Sequence, residues 1–452
     1  MPGAAHCGKG HLLKEWVEAL PFEPTEAQKR CIREIRKDLK AERPMNRLLQ
    51  GDVGAGKTLV AVAAILLAVE SGHQAAMMAP TQILAEQHFL VLSKWLKPLD
   101  LTVVLKTGAN KKGKKRQDPE EMEFFEGGST PDVVVGTHAL FYDSVEFDKL
   151  GLVVIDEQHK FGVAQRGKLI GRGVCPDVLV MTATPIPRTL TLTVYGDLDV
   201  SVLDELPKGR GEIVTGVREA KKKRKEATKF LKDQLEEGRQ AYIVYPLVED
   251  SEKLKAKSVE GEFEEWARRL DPFKCDLLHG RIAPDEKEFI MRDFRDGKTD
   301  VLVATTVIEV GVDVPNANIM YIYNAERFGL AQLHQLRGRI GRGAHKSYCI
   351  LMADKPSAEA MEKLNVLAAT SDGFEIAEAD LRIRGPGELL GTAQSGIDGL
   401  KLGDLVTETA LVQHARDLAA AVIEEDPELE RATHRHLREM LMDDDEAAGV
   451  VA

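Results

Sequence analysis

At 452 residues, 43% hydrophobic and 30% charged, the chain is too long for one compact core and suits two domains of ordinary size plus a smaller element. It has no apolar run long enough to span a bilayer and no signal-peptide pattern at its start, so a cytosolic protein without membrane contact is expected. Five scattered cysteines without a C-x-x-C pair point to neither a disulfide framework nor a zinc site, and a formal charge of -12 argues against nucleic-acid binding unless basic residues cluster.

They do cluster. "KTGANKKGKKR" (106–116) and "REAKKKRKEATK" (218–229) are strongly basic, whereas the acidity gathers near the end in "EEDPELE" and "MDDDEAAG". Taken alone, such runs are solvated loops or helix faces.

In chain order, residues 1–20 read as a linker segment. "TEAQKRCIREIRKDLK" then places Ala27, Cys31, Ile32, Ile35 and Leu39 at helical spacing behind Thr25, a capping residue. Just before it, "LPFEPTEAQ" offers Phe22 and Gln28. An aromatic ring can stack on a base, and a glutamine amide can meet both the donor and the acceptor of adenine's edge, which favours ATP over GTP. The plainer reading of Gln28 is a polar helix residue.

Short apolar runs alternate with helical stretches from here: "RLLQ", "QAAMMAP", "DVVVGTH", "LVVIDEQH" and "VLVMTATP". That alternation marks βαβ units and a parallel sheet covered on both faces. After a pause at "LDELPKGRGE" the pattern restarts with "AYIVYP", "CDLLHG", "DVLVATT", "IMYIYN" and "YCILMA". The expected fold class is α/β, with two tandem doubly wound domains over 21–206 and 207–353. A helical hairpin and loop follow over 354–410, and an acidic helical tail over 411–452.

Chemistry concentrates in the first domain. "GDVGAGKT" fits G-x-x-x-x-G-K-T between a strand and an apolar helix, the setting of a P-loop. Gly51, Gly54 and Gly56 let backbone N–H groups wrap phosphates, Lys57 reaches the β and γ phosphates, and the Thr58 hydroxyl ligates Mg²⁺. Asp156 and Glu157 end a buried strand, where ligands gather in open α/β sheets. Asp156 suits the metal, and Glu157 can orient or deprotonate water.

The motifs "APTQILAEQH", "VVGTHALF", "DEQHKFGVAQR", "MTATPIPRTL", "ATTVIEVGVDVPNA" and "HQLRGRIGRG" together resemble superfamily 2 helicases, in detail the bacterial RecG family. The resemblance runs from about residue 11 to residue 410. It implies two RecA-like domains with ATP between them, and branched or duplex DNA as the substrate of a monomeric motor. In "QLRGRIGR", Arg339 and Arg342 look like the start of a helix that inserts guanidinium groups beside the γ-phosphate, with Gln335 one turn earlier. Asp313 would bond the ribose. Thr305 and Thr306, and on the first domain Pro80, Thr81, Thr137 and His138, would hold DNA phosphates without reading bases. Thr182 and Thr184 of "TATP" would link hydrolysis to grip.

"LNVLAATSDGFEIAEADLRIRGPGELLGTAQSG" resembles the family's translocation motif, for which Arg382, Arg384 and Gln394 are the candidate coupling residues. A glycine-rich loop can follow moving arginines because its backbone tolerates many dihedrals. Two departures stand out: Ala393 and Lys363 occupy positions where the family carries Arg. An ammonium cannot reproduce a guanidinium fork, so coupling is expected to be wired differently here. The family's wedge domain lies N-terminal to the motor and finds no counterpart in this sequence, so a partner, either a separate wedge or a single-strand-binding protein, is one expectation. The rival readings are the motor of a transcription-repair coupling factor, which carries DEEH where "DEQH" stands; an RNA helicase; and a nucleotide-gated DNA clamp without productive unwinding.

Overall fold

A computed structural model of the chain describes residues 6–107, 130–137, 140, 147–157, 175–183, 198–207, 211–246, 252–305, 314–343, 345–384 and 409–448. Its first helix, α1 (His11–Ala19), precedes α2 (Glu26–Leu39), which begins where the sequence predicts. Thr25 Oγ1 accepts from the Gln28 N–H, while Gln28 Oε1 accepts from the Thr25 N–H, a reciprocal cap. The buried face of α2 carries Ala27, Cys31, Ile35 and Leu39.

The first sheet comprises β1 (Asn46–Gly51), β2 (Gln74–Met78), β3 (Val103–Lys106), β4 (Val133–Gly136), β5 (Leu150–Asp156), β6 (Asp177–Thr182) and β7 (Asp199–Leu203). Among the described residues the order is β3-β4-β2-β5-β6-β1-β7, and every pairing is parallel. Alternate residues serve opposite faces: Leu152 and Val154 join the core with α3 (Lys57–Glu70), whereas Val153 and Ile155 join a second cluster. Burial on both sides explains why these strands are continuous runs of branched apolar residues and not alternating ones. Helix α4 (Gln82–Leu96) follows β2 and packs its Ala85, Leu92 and Leu96 into the α3 side.

The second sheet, also parallel, is ordered β10-β11-β9-β12-β13-β8. Its strands are β8 (Ile213–Glu219), β9 (Gln240–Val244), β10 (Cys275–Leu278), β11 (Val301–Ala304), β12 (Ala317–Tyr323) and β13 (Ser347–Ala353). Between them run α5 (Ala220–Glu236), α6 (Glu252–Leu270), α7 (Pro284–Arg295) and α8 (Leu330–Arg337), and α9 (Ala358–Ala369) follows β13. Tyr242 and Val244 enter one core with Phe294 and Leu336; Ala241 and Ile243 enter the other with Trp266 and Leu231.

Three strands have no counterpart among the apolar runs: β3, β7 and β8. All three are sheet edges, partly exposed along their length, so no unbroken apolar run announces them.

The chain divides into two units. The larger carries both sheets and extends to Ala377; the smaller, in its described residues, holds 378–384 and 409–448. Helix α10 (Gly373–Arg384) spans the division. Within the smaller unit lie α11 (Thr409–Glu425) and α12 (Arg435–Ala448). Asp426 pins the turn between them, accepting from the N–H groups of Glu430 and Arg431 and bonding His434 Nδ1 at 2.9 Å.

Candidate active site

Because all strands of the first sheet run the same way, their C-terminal ends share one edge, and the P-loop, Thr137, Asp156 and Thr182 come to it together. The loop itself is shaped by glycines. Gly54 and Gly56 have φ of 81° and 86°, a left-handed backbone that suits glycine. Gly51 lies opposite Leu203 of β7, and a Cβ there would come within 2.8 Å of the Leu203 Cβ. Thr58, half-buried, sits in the first turn of α3, whose N-cap is Gly56.

Lys57 Nζ folds back over the loop and donates to the carbonyls of Gly51 (2.8 Å) and Asp52 (3.0 Å). Burial pushes its pKa down, with Arg342 acting the same way, and Glu157, Asp156 and Asp52 oppose the shift. The four charges therefore converge on the lysine from both sheets.

Asp156 ends β5 with its Oδ2 2.8 Å from His88 Nε2 on α4. Burial alone would raise its pKa, but the hydrogen bond from His88, with Lys57 and Arg339 beyond it, holds the carboxyl below the ordinary aspartate value. An ionised carboxylate at this spot is what a divalent cation requires. Glu157, the next residue, adopts φ 56° and donates its N–H to Met181 O. A left-handed glutamate is an uncommon conformation of the kind that clusters at functional sites.

From the second sheet, α8 delivers the arginines, though not as a helix start. The helix ends at Arg337 with Gly338 as C-cap, so Arg339 and Arg342 lie beyond it on a turn that contains Gly341 at φ 76°. The sequence places the two arginines at a helix start; in the structure they follow a helix end, and the left-handed backbone at Gly341 turns the chain between them. Gly338 brings this turn against the P-loop, since a Cβ on it would lie 2.8 Å from the Val53 Cβ. Both arginines are half-buried, and their charges are felt at Asp156 and Lys57. Gln335, also half-buried, is on α8 itself.

A buried line of polar groups runs through the same place. His334 Nε2 lies 2.6 Å from Asp52 Oδ1, and Arg337 Nη2 lies 2.9 Å from His334 Nδ1. Arg337 Nη1 donates to the carbonyls of Leu367 (2.7 Å) and Thr370 (2.8 Å) at the C-terminal end of α9. Burial raises the Asp52 pKa, but the hydrogen bond from His334, helped by the Val53 N–H and Lys57, leaves it below the ordinary value. Neither His334, Asp52 nor Arg337 stands out as a site residue in the sequence, and His88 is equally silent; their partners are far away along the chain.

Gln28, expected at adenine's edge, engages protein groups with both its donor and its acceptor. Only 2% exposed, it uses Oε1 to cap α2 and Nε2 to hold Ala55 O of the P-loop at 2.9 Å, so an adenine edge would have to displace one of these partners. Phe22 is 49% exposed. Thr81 caps α4 by accepting from the Leu84 N–H, with Pro80 just before it. Thr137 and Thr182 are buried at the ends of β4 and β6, and Thr305 is buried after β11.

Arg382 is exposed on α10, which ends at Arg384. Lys363 donates to two carbonyls, Glu326 O (3.1 Å) and Phe328 O (2.6 Å). His138, Thr184, Thr306, Asp313, Ala393 and Gln394 lie outside the described residues, as does most of the basic run 106–116. No helix among the described residues is long and apolar enough to cross a membrane.

Three family models match in succession: DEAD/DEAH box helicase over residues 25–193, helicase conserved C-terminal domain over 222–344, and ATP-dependent DNA helicase RecG, domain 3, C-terminal over 370–444. The ATP-dependent DNA helicase RecG of Synechocystis sp. is 51% identical over 422 residues, 93% of this chain and 50% of that protein. RecG of Thermotoga maritima is 49% identical, covering 90% of this chain and 52% of its own length; RecG of Bacillus subtilis is 48% identical, with 95% and 62% covered. The chain thus spans about half to three fifths of the length of these curated relatives. A solved structure of RecG bound to a three-way DNA junction superposes with a TM-score of 0.76 at 45% identity, over 91% of this chain and 53% of that one. Dbp5 of S. cerevisiae, bound to RNA and ADP BeF3, shares the fold, with a TM-score of 0.56 at 18% identity over 83% of this chain and 91% of its own.

Proposed function

The chain belongs to the RecG family of superfamily 2 helicases, and from that premise we infer that it is an ATP-driven translocase on double-stranded DNA that remodels replication forks and four-way junctions. The observation that carries the reading is the convergence of Lys57, Asp156, Glu157 and Asp52 from the first sheet with Arg339 and Arg342 from the second, each near enough to perturb another's ionisation.

The chemistry follows from those groups. P-loop N–H groups and Lys57 hold the phosphates of ATP. Thr58 and the ionised Asp156 are the residues that would hold Mg²⁺, which needs only one or two protein oxygens at a triphosphate and supplies charge neutralisation there. Glu157 orients the attacking water and takes its proton. Arg339 and Arg342 meet the charge that develops on the transferring phosphoryl group, so hydrolysis depends on both sheets being in place. Asp313 is assigned to the ribose, and the ring of Phe22 is exposed enough to stack on the base.

On the DNA side, Pro80, Thr81, Thr137, His138, Thr182, Thr184, Thr305 and Thr306 are assigned to phosphate contacts or to linking hydrolysis with grip. Strand-end hydroxyls and N–H groups bind backbone without reading sequence, so the substrate is a DNA shape. Arg382, Arg384 and Gln394 are assigned to passing nucleotide-driven movement to the duplex. Splitting of the junction arms falls to a wedge.

Phosphate release measured with forked, four-way and linear duplex DNA tests the reading. Branched DNA should stimulate hydrolysis, and Glu157→Gln should abolish it; a rate indifferent to DNA would overturn the assignment. Displacement of a third strand from a triplex separates a translocase from a clamp that binds without moving.

A further inference from the structure

In the buried line Asp52–His334–Arg337, the histidine and the arginine have no assigned part in hydrolysis, and the chemistry of the line is constrained enough to assign protons. A guanidinium has five donors and no acceptor. The 2.9 Å contact between Arg337 Nη2 and His334 Nδ1 therefore requires a lone pair on Nδ1, and the hydrogen of the neutral ring sits on Nε2, where it is donated to Asp52 Oδ1 at 2.6 Å. Lysine, arginine or a doubly protonated histidine would offer Arg337 nothing to bond, and an ionised carboxylate would offer Asp52 no donor.

Each end of the line is anchored in a different segment of the chain. Asp52 is in the nucleotide loop: its carbonyl accepts from Lys57 while its carboxylate takes the His334 proton and the Val53 N–H (2.6 Å). Arg337 holds the Leu367 and Thr370 carbonyls at the C-terminal end of α9, where a helix leaves its last carbonyls without intrahelical donors, immediately before the short link to α10. A rigid ring with one donor and one acceptor thus joins the nucleotide loop to the turn that follows α9.

We propose that His334 is a positioning residue that ties the nucleotide loop to the end of α9, so that filling of the loop by ATP is felt at Val366–Asp372. The proposal rests on the nucleotide site described above. It requires ATP binding but not movement on DNA.

Two substitutions divide the line. His334→Gln places an amide donor where Nε2 stood and so keeps Asp52 engaged, while losing the acceptor for Arg337. His334→Asn places an amide oxygen near Nδ1 and keeps Arg337 engaged, while losing the donor to Asp52. With the full chain, binding of a non-hydrolysable ATP analogue is titrated and amide hydrogen exchange is read at Val366–Asp372 with and without it.

Asn should weaken nucleotide binding about tenfold, the effect of losing a bond to a charged group, whereas Gln should leave binding near the parent's. In both variants the exchange response at Val366–Asp372 should vanish, although it is present in the parent chain. Parent-like responses in both variants, absence of any response in the parent, or equal loss of binding in both would overturn the proposal. If DNA fails to stimulate hydrolysis but the exchange response persists and depends on His334, the positioning role stands and the translocase reading falls.

Discussion

Gly338→Ala should open the seam between the sheets without loosening either one. The added Cβ would sit 2.8 Å from the Val53 Cβ and 2.9 Å from both of its methyl carbons. Carbon atoms pack at about 3.5–4.0 Å, so the P-loop and the end of α8 must part by about 0.7–1.2 Å. Rotating the valine cannot relieve the Cβ contact, and Val53 is itself buried. Gly338 has φ -64° and ψ -11°, a conformation alanine accepts, so the penalty is purely steric. Overpacking of this kind costs about 1–3 kcal/mol. Because neither sheet's apolar core is touched, that cost falls on the closed arrangement of Arg339 and Arg342 over the nucleotide and lowers its population about 5- to 150-fold. DNA-stimulated phosphate release should fall by a comparable factor while the melting temperature holds. Val53→Gly removes all three clashing atoms, and in the double variant activity should recover. A Gly338→Ala enzyme that hydrolyses ATP at the parent rate, or whose defect survives Val53→Gly, would refute the reasoning.

Gly56→Ala asks more of the backbone: φ is 86°, which costs a non-glycine residue about 1–2 kcal/mol, and the new Cβ would meet Gln28 Nε2 at 2.3 Å. Titration with a fluorescent ATP analogue should show binding lost, and unaltered affinity would rule out the cradle as drawn. Asp156 has a folded pKa below its unfolded value of about 3.9. Its stabilising contribution is therefore complete above about pH 4 and disappears as the pH falls through the folded value. The gap in unfolding free energy between parent and Asp156→Asn, followed by urea titration, should close on that acid side and nowhere above it. Burial pushes the thiols of Cys31 and Cys349 up to about 12, whereas Cys7 is exposed. A maleimide at neutral pH should label Cys7 and spare the other two until denaturant is added, as peptide mapping would show.

What could be read from the sequence was what repeats locally. The interior strands declare themselves because two covered faces demand apolar residues without interruption, and the P-loop declares itself because glycines, lysine and threonine must fall at fixed spacing between a strand and a helix. The edge strands β3, β7 and β8 lack that demand and blend into their surroundings. The end of α8 is obscured because the arginine spacing continues past Arg337, where the helix stops, to the left-handed turn at Gly341. Gln28 shows a limit of another sort: its donor and acceptor were legible, but which groups they would find was not. Hardest of all are His88 and His334. A histidine has no local signature for its partner, and Asp52 lies 282 residues from the imidazole it bonds.

The placement of β8 carries a consequence for how the chain is made. Among the described strands it borders only β13, with which it pairs over its whole length from Ile213 opposite Ser347 to Glu219 opposite Ala353. The first strand of the second sheet to leave the ribosome must therefore wait for the last. At elongation rates of about 5–20 residues per second the wait is on the order of ten seconds, during which its backbone amides have only water, a chaperone or a wrong neighbour to bond. The first sheet, complete at β7, can be finished by then.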